Sequence, residues 1–204
     1  MNRRARSILL LSSVTALTLA ACLAWQHWTA GPIHEAQRLL QEREWLAALP
    51  EGSYDNRPLQ QPLALTDNRL QHSRLLAGYR ASLANKPVAV MLHSEVPGYG
   101  GPIELVIAIN IQGRLIGLRV LRQQESPGLG DQLVNPARHW LDQFIGKAHD
   151  APPEQAWALK RDRGAFDQLA GATVTSRAVI DAVQDALRYF DQHRTSLLGE
   201  NSHE

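Results

Sequence analysis

The chain has 204 residues, enough for one ordinary domain and a further segment, and it sets 21 basic residues against 20 acidic ones. A formal net charge of +1 leaves no basic surplus for binding nucleic acid by neutralising phosphates. Cys22 is the only cysteine, so no intrachain disulfide can form and the fold must rest on its core.

Residues 1–6 carry Arg3, Arg4 and Arg6, and an uncharged run extends from Ser7 through Trp25, with no acidic residue before Glu35. About 18–20 apolar residues cross a bilayer, so the run predicts a transmembrane helix over 7–28. The arginines predict a cytoplasmic N-terminus and a main domain on the far side, and Trp25 and Trp28 stand where interfacial aromatics belong. Two other readings remain open. A cleaved signal peptide has the same charged start, with Ala20-Ala21 as its small residues. Leu19-Ala20-Ala21-Cys22 also resembles a bacterial lipobox with Cys22 as the lipidated residue. Leu23-Ala24-Trp25 carries the apolar run past the cysteine to spanning length and favours the uncleaved anchor.

Residues 29–86 read as a juxtamembrane helix and a connecting region. Ile33, Ala36, Leu39, Leu40, Leu46 and Leu49 fall near helical spacing up to Pro50, and Pro50, Gly52, Pro58 and Pro62 break the next stretch. A compact domain is expected over 87–192. Val88–Leu92 is a short apolar run consistent with a buried strand. Ile103–Ile109 and Leu115–Val120, joined by a turn at Gln112-Gly113, read as an antiparallel hairpin. Asn135-Pro136 reads as an N-cap and first helical residue opening a short helix through Trp140, Leu141 and Phe144. Ala156–Lys160 is expected as a further strand. A helix begins near Ser176, with Val179, Val183, Ala186, Leu187 and Phe190 along one face. A polar tail, 193–204, closes the chain. A hairpin followed by segregated helices argues for an α+β fold with an antiparallel sheet and flanking helices.

Three segments carry candidate chemistry. Gly98-Tyr99-Gly100-Gly101 precedes one hairpin strand and Glu125-Ser126-Pro127-Gly128-Leu129-Gly130 comes after the other, so the out-and-back path brings both loops to one sheet edge. The third is Asp167-Gln168-Leu169-Ala170-Gly171-Ala172-Thr173-Val174-Thr175-Ser176, a small-residue turn and three hydroxyls before a helix. A helix start with free N–H groups suits an anion, although a hydroxyl there also serves as an ordinary cap. His93 and Glu95 share a strand face and read as a surface pair rather than as an acid and base. No pair of histidines has zinc-ligand spacing.

The third segment resembles the flavinylation motif Asp-Gly-x-Ser/Thr-Gly-Ala-Thr, whose last threonine is esterified to the phosphate of FMN. Gln168 stands where glycine is usual, and Ala170 where serine or threonine is usual. The order Gly-Tyr-Gly-Gly-x-Ile, Glu-Ser-Pro-Gly-Leu-Gly, Gly-Ala-Thr-x-Thr-Ser resembles the FMN-binding domain of the Rnf and Na⁺-translocating NADH:quinone reductase complexes. The resemblance runs from about Leu76 to Phe190, and the chain looks closer to the RnfG family. Ser126 replaces the usual threonine of the second loop.

The resemblance implies covalent FMN attached through its phosphate to Thr173. Gly171, Ala172, Thr175 and Ser176 would lie beside it, and Glu125, Ser126, Gly128, Leu129 and Gly130 would line the flavin. Thr175 and Ser176 read equally well as helix caps. The implied function is electron transfer within a membrane-bound complex that couples ferredoxin/NAD electron transfer to ion translocation. This chain is not expected to be catalytic alone. The implied partners are the other membrane subunits and a flavin transferase for maturation. The implied location is the bacterial inner membrane with the main domain in the periplasm. The alternative is a membrane-anchored module or lipoprotein that binds a ligand or partner without redox chemistry.

Overall fold

The computed structural model describes residues 3–199, with side chains for 13–26, 39–135 and 137–199. It divides into two units, Met1–Arg43 and Glu44–Glu204. The first is helical. Helix α1 runs Arg3–Leu46 without interruption, and its last three residues belong to the second unit. The helices expected over 7–28 and 33–49 are therefore one, and it ends at Leu46 rather than at Pro50. Among the described residues no helix is long and apolar enough to cross a membrane. The span expected over 7–28 rests partly on residues 7–12 and 27–28, whose side chains lie outside the described set, as do those of Arg3, Arg4 and Arg6.

The second unit is an α+β fold around a four-stranded antiparallel sheet in the order β1-β2-β3-β4. The strands are β1 (Arg74–Leu83), β2 (Lys86–Pro97), β3 (Pro102–Asn110) and β4 (Leu115–Arg122). Three of the four expected strands are present, as β2, β3 and β4. Strand β1 lies inside the stretch read as a connecting region, and it pairs along β2, with Tyr79 opposite Met91.

Period-two alternation gives the sheet two apolar faces. Val90 and Leu92 of β2 align with Ile109 and Ile107 of β3 on one face. That face packs against helix α2 (Thr173–Leu198) through Val179, Val183, Ala186, Leu187 and Phe190. The second face carries Ala81, Ala89, Met91, Val106 and Ala108, covered by Trp45, Ala48, Leu49, Tyr54 and Leu59. Burying each large apolar side chain contributes roughly 1.5–3 kcal/mol, so the segment after α1 is part of the core and not a linker. Its backbone lies so close to β4 that a Cβ at Gly117 would collide with the Ala48 carbonyl.

Between β4 and α2 the chain makes short 3-10 turns rather than the expected elements. Asn135 does cap a turn, its Oδ1 accepting from Ala137 N–H at 3.0 Å. His139 then adopts a left-handed conformation (φ 50°), which splits the expected helix into the turns Pro136–Arg138 and Trp140–Phe144. Residues 156–160 form no strand; a single parallel bridge, Leu159 with Phe166, closes a tight reversal there. The expected tail begins as helix: α2 continues past a non-helical residue at His193 to Leu198, with Leu197 and Leu198 buried. Arg80 holds that end by donating from Nε to the Leu197 carbonyl at 2.6 Å and from its terminal nitrogen to the Ser196 carbonyl at 3.2 Å.

Candidate functional site

The two glycine loops and the start of α2 meet around one buried carboxylate. Glu125 is 7% exposed. Its Oε1 accepts from the Tyr99 N–H at 2.9 Å and the Gly100 N–H at 3.2 Å, and its Oε2 accepts from the Thr175 hydroxyl. A carboxylate taken out of water needs such donors, and bonds to an ionised acceptor are stronger than neutral ones. The glycines make room for it. A Cβ at Gly98 would collide with Glu125 Oε1, and one at Gly130 would lie 2.6 Å from Oε2. Glu125 and Thr175, expected to line a cofactor, thus face each other inside the protein. The loops do share one sheet edge, as the hairpin path requires.

The residues around Thr173 are built differently. Gly171 has φ +74°, a left-handed conformation that glycine adopts without strain. Ser176, fully buried, accepts from the Leu169 N–H at 2.9 Å and donates to the Ala172 carbonyl at 2.8 Å. It therefore fastens the Leu169–Ala172 turn from within the first turn of α2 and is not a helix cap. Ala172 occupies the capping position and supplies no side-chain bond. Thr173 is the first helical residue, half-buried, where the N–H groups of the first turn have no intrahelical acceptor. Leu129 reaches over this turn; a Cβ at Gly171 would come 2.6 Å from its Cδ2. Leu129, which reaches Gly171, and Val174, next to Thr173, are about half exposed and give the open side of the turn an apolar rim.

Cations surround the same turn. Lys160 donates to Asp167 at 2.7 Å, and Arg177 donates to Asp162 at 2.8 Å. Arg161 points a terminal nitrogen to within 3.4 Å of Thr173 Oγ1, and the Thr173 hydroxyl lies 3.4 Å from Gln168 Oε1. Sequence reasoning missed Arg161. It noted Gln168 only as a departure from a motif. This donor set fits a phosphate: a half-exposed hydroxyl, first-turn N–H groups and a guanidinium, together with the favourable field of a helix N-terminus. Asp167 is exposed and pairs with Lys160, while its carbonyl accepts from Trp140 Nε1 at 2.8 Å. Ser126 and Gly128 lie on the loop between Glu125 and Leu129, the serine half-buried and the glycine exposed.

Two other features lie elsewhere. His93 is not half of a surface pair. It is buried, with Nε2 3.0 Å from Glu104 Oε2 and the Trp45 ring 4.6 Å away, while Glu95 pairs with Arg74 at 2.8 Å. Burial pulls the His93 imidazole below its usual range against the opposing pull of Glu104. A groove of about 480 Å³ runs along β4, lined by Ala48, Arg119, Asn135 and Trp140, and shares no residue with the Thr173 turn. The chemistry converges on the open turn and not on this groove.

Residues 98–188, from the first glycine loop through most of α2, match the FMN-binding domain family. This α+β unit is thus of the FMN-binding class. A Pseudomonas aeruginosa protein, named as the G subunit of the ion-translocating oxidoreductase complex, is 42% identical over 195 residues, 95% of this chain and 91% of that protein. A Shewanella oneidensis protein of the same name is 36% identical over 169 residues, 80% of each chain. The chain belongs to this family, the G subunits of the ion-translocating oxidoreductase complex. The crystal structure of Shewanella oneidensis NqrC aligns with 75% of this chain and 74% of its own at 20% identity and a TM-score of 0.47, too distant to argue from.

Proposed function

We propose that this chain is the electron-transfer flavin subunit of a membrane-bound ion-translocating oxidoreductase complex of the Rnf type, with FMN esterified through its phosphate to Thr173. FMN, when bound, supplies one- and two-electron redox chemistry, and the protein sets its position and surroundings. One observation carries the residue assignment. Thr173 alone of the three hydroxyls in the segment stays open, because Thr175 is turned onto Glu125 and Ser176 onto the Leu169–Ala172 turn. The Gly171 turn presents the hydroxyl, and Leu129 and Val174 offer an apolar rim beside it. Gly171, Ala172, Ser126, Gly128 and Gly130 shape the backbone around that opening, and Glu125 and Thr175 support it from beneath. Esterification removes one water between the Thr173 hydroxyl and the phosphate, and a flavin transferase is the maturation partner.

The N-terminal helix is the proposed anchor. Arg3, Arg4 and Arg6 hold its start in the cytoplasm and set the flavin domain in the periplasm, beside the other membrane subunits. A tethered cofactor suits that side of the membrane, where free flavin would be lost by dilution.

Intact mass of the full chain, produced together with a flavin transferase, should exceed the polypeptide mass by FMN less one water. Fragmentation of the peptide running from Gly164 to Arg177 should place the addition on Thr173, and Thr173→Ala should lack it. An adduct on Thr175, or one that survives Thr173→Ala, overturns the residue assignment; a chain that stays colourless overturns the flavin role. A reporter fused after Glu204 tests the topology, and activity in the cytoplasm would reverse the orientation.

A further inference from the structure

We infer that Arg161 is the residue that grips the flavin phosphate at Thr173, and that Gln168 holds the acceptor hydroxyl and the guanidinium together until the phosphate arrives. This rests on the proposed FMN ester at Thr173. The 3-10 turn Lys160–Asp162 is folded back against the segment before α2: Lys160 N–H donates to the Phe166 carbonyl at 2.7 Å, and Phe166 N–H donates to the Ala158 carbonyl at 3.1 Å. That reversal delivers three consecutive charged side chains to the Thr173 turn.

Their partners sort them. Lys160 is taken up by Asp167 at 2.7 Å, and Asp162 by Arg177 at 2.8 Å. Arg161 keeps only a loose ion pair among the described residues, its Nε 4.0 Å from Asp162 Oδ1. Its terminal nitrogen turns instead to two neutral oxygens, Thr173 Oγ1 at 3.4 Å and Gln168 Oε1 at 3.5 Å. Both contacts are long for hydrogen bonds, and neither neutral oxygen matches a guanidinium as an anion does. A phosphate on Thr173 Oγ1 would place anionic oxygens within reach of this planar, permanently charged fork, the geometry in which arginine binds phosphate with two parallel bonds.

Gln168 fits the same arrangement. Its Oε1 accepts from both Thr173 and Arg161, so it lies where the phosphate must come, and its amide N–H₂ can donate to phosphate oxygens after a side-chain rotation. The glutamine that replaces the usual glycine of the motif is thereby a ligand-directed residue rather than a lesion.

The test uses the full chain produced with its transferase, following the rate of flavin incorporation by intact mass and then the ³¹P resonance of the loaded protein. Arg161→Ala should slow incorporation about tenfold or more, the scale of a charge-assisted bond to phosphate. Arg161→Lys should recover part of that loss, and the ³¹P shift of loaded Arg161→Ala should differ from wild type. Gln168→Glu should load as slowly as Arg161→Ala, because a carboxylate captures the guanidinium and repels the phosphate. Arg161 is exposed, so thermal midpoints should stay near wild type. Arg161→Ala that loads at the wild-type rate overturns the inference. So does a slow Arg161→Ala whose loaded product keeps the wild-type ³¹P shift, which would assign Arg161 to transferase recognition. A wild-type chain that takes up no flavin fails earlier, at the flavin reading itself.

Discussion

Removing the Glu125 carboxylate should destabilise the domain before it affects any ligand. Glu125→Ala strands two backbone donors, Tyr99 N–H and Gly100 N–H, and the buried Thr175 hydroxyl. A hydrogen bond to an ionised group contributes about 1.5–3 kcal/mol, and the three share one carboxylate, so they do not simply add. With the void left between Gly98 and Gly130, the expected loss is about 3–5 kcal/mol. Glu125→Gln keeps an oxygen for the two backbone donors and turns an amide N–H₂ towards Thr175 Oγ1, which can accept. Only the charge assistance is lost, and the cost falls to about 1–2 kcal/mol. Thr175→Val should lie between them, and it should couple to Glu125→Gln in a double-mutant cycle. Urea unfolding of the full chain, followed by far-ultraviolet circular dichroism and the combined fluorescence of its five tryptophans, measures all of these. Glu125→Ala within about 1 kcal/mol of wild type would refute the bracket role. Lost flavin loading at unchanged stability would instead put Glu125 against the ligand.

Other expectations rest on the same logic. Asp185 is buried and its Oδ2 accepts from the His72 N–H, the Ser73 N–H and the Ser73 hydroxyl at 2.8–3.0 Å. Asp185→Ala should cost about 3 kcal/mol or more by urea unfolding, because those donors lose their shared acceptor. Ser176→Ala removes both ties on the Leu169–Ala172 turn, and native-state hydrogen exchange should show the Leu169 N–H opening sooner in the variant. His93 is held below its usual pKa by burial, with Glu104, Glu95 and Arg122 as its charged neighbours. Its contribution is full above about 6.5, the unfolded value, and is lost as the pH falls through the lower folded value. Stability should therefore decline on acidification below that point, and His93→Asn should flatten this limb. Asp181 is shifted the other way, upward by burial, so Asp181→Asn should stabilise the fold near neutral pH and lose its advantage as the pH drops towards 3.8.

The strands that could be read from the sequence are those whose residues state their own period. Ile103–Ile109 and Leu115–Val120 alternate or run apolar between turn formers, and both fall inside β3 and β4. Strand β1 gave no such signal. Gly78 and the flanking Arg74 and Arg80 break its pattern, and its burial comes from partners that only the folded sheet supplies. The turns between 130 and 162 were equally hidden, since a three-residue 3-10 helix is too short to show a period. At the site, the meeting of the two loops was legible from hairpin geometry and the importance of the threonine turn from its motif. The inward direction of Glu125 was not, because a carboxylate in a glycine loop reads alike whether it faces a ligand or the backbone. Arg161 escaped notice in a mixed-charge stretch, and only the reversal between Ala158 and Phe166 gives it a direction.

The glycines packed around Glu125 have a consequence for anyone mapping this protein by systematic substitution. At Gly98, in the first loop, and at Gly130, the far end of Glu125's own loop, the space a side chain would need is taken by the Glu125 carboxylate. Alanine at either position would push on Glu125, and through it on Thr175 and the first turn of α2. A scan scored by colour alone would therefore flag both glycines as flavin contacts, although each acts at one remove. Scoring the same library for abundance as well as colour separates the residues that touch the cofactor from those that hold the floor beneath it.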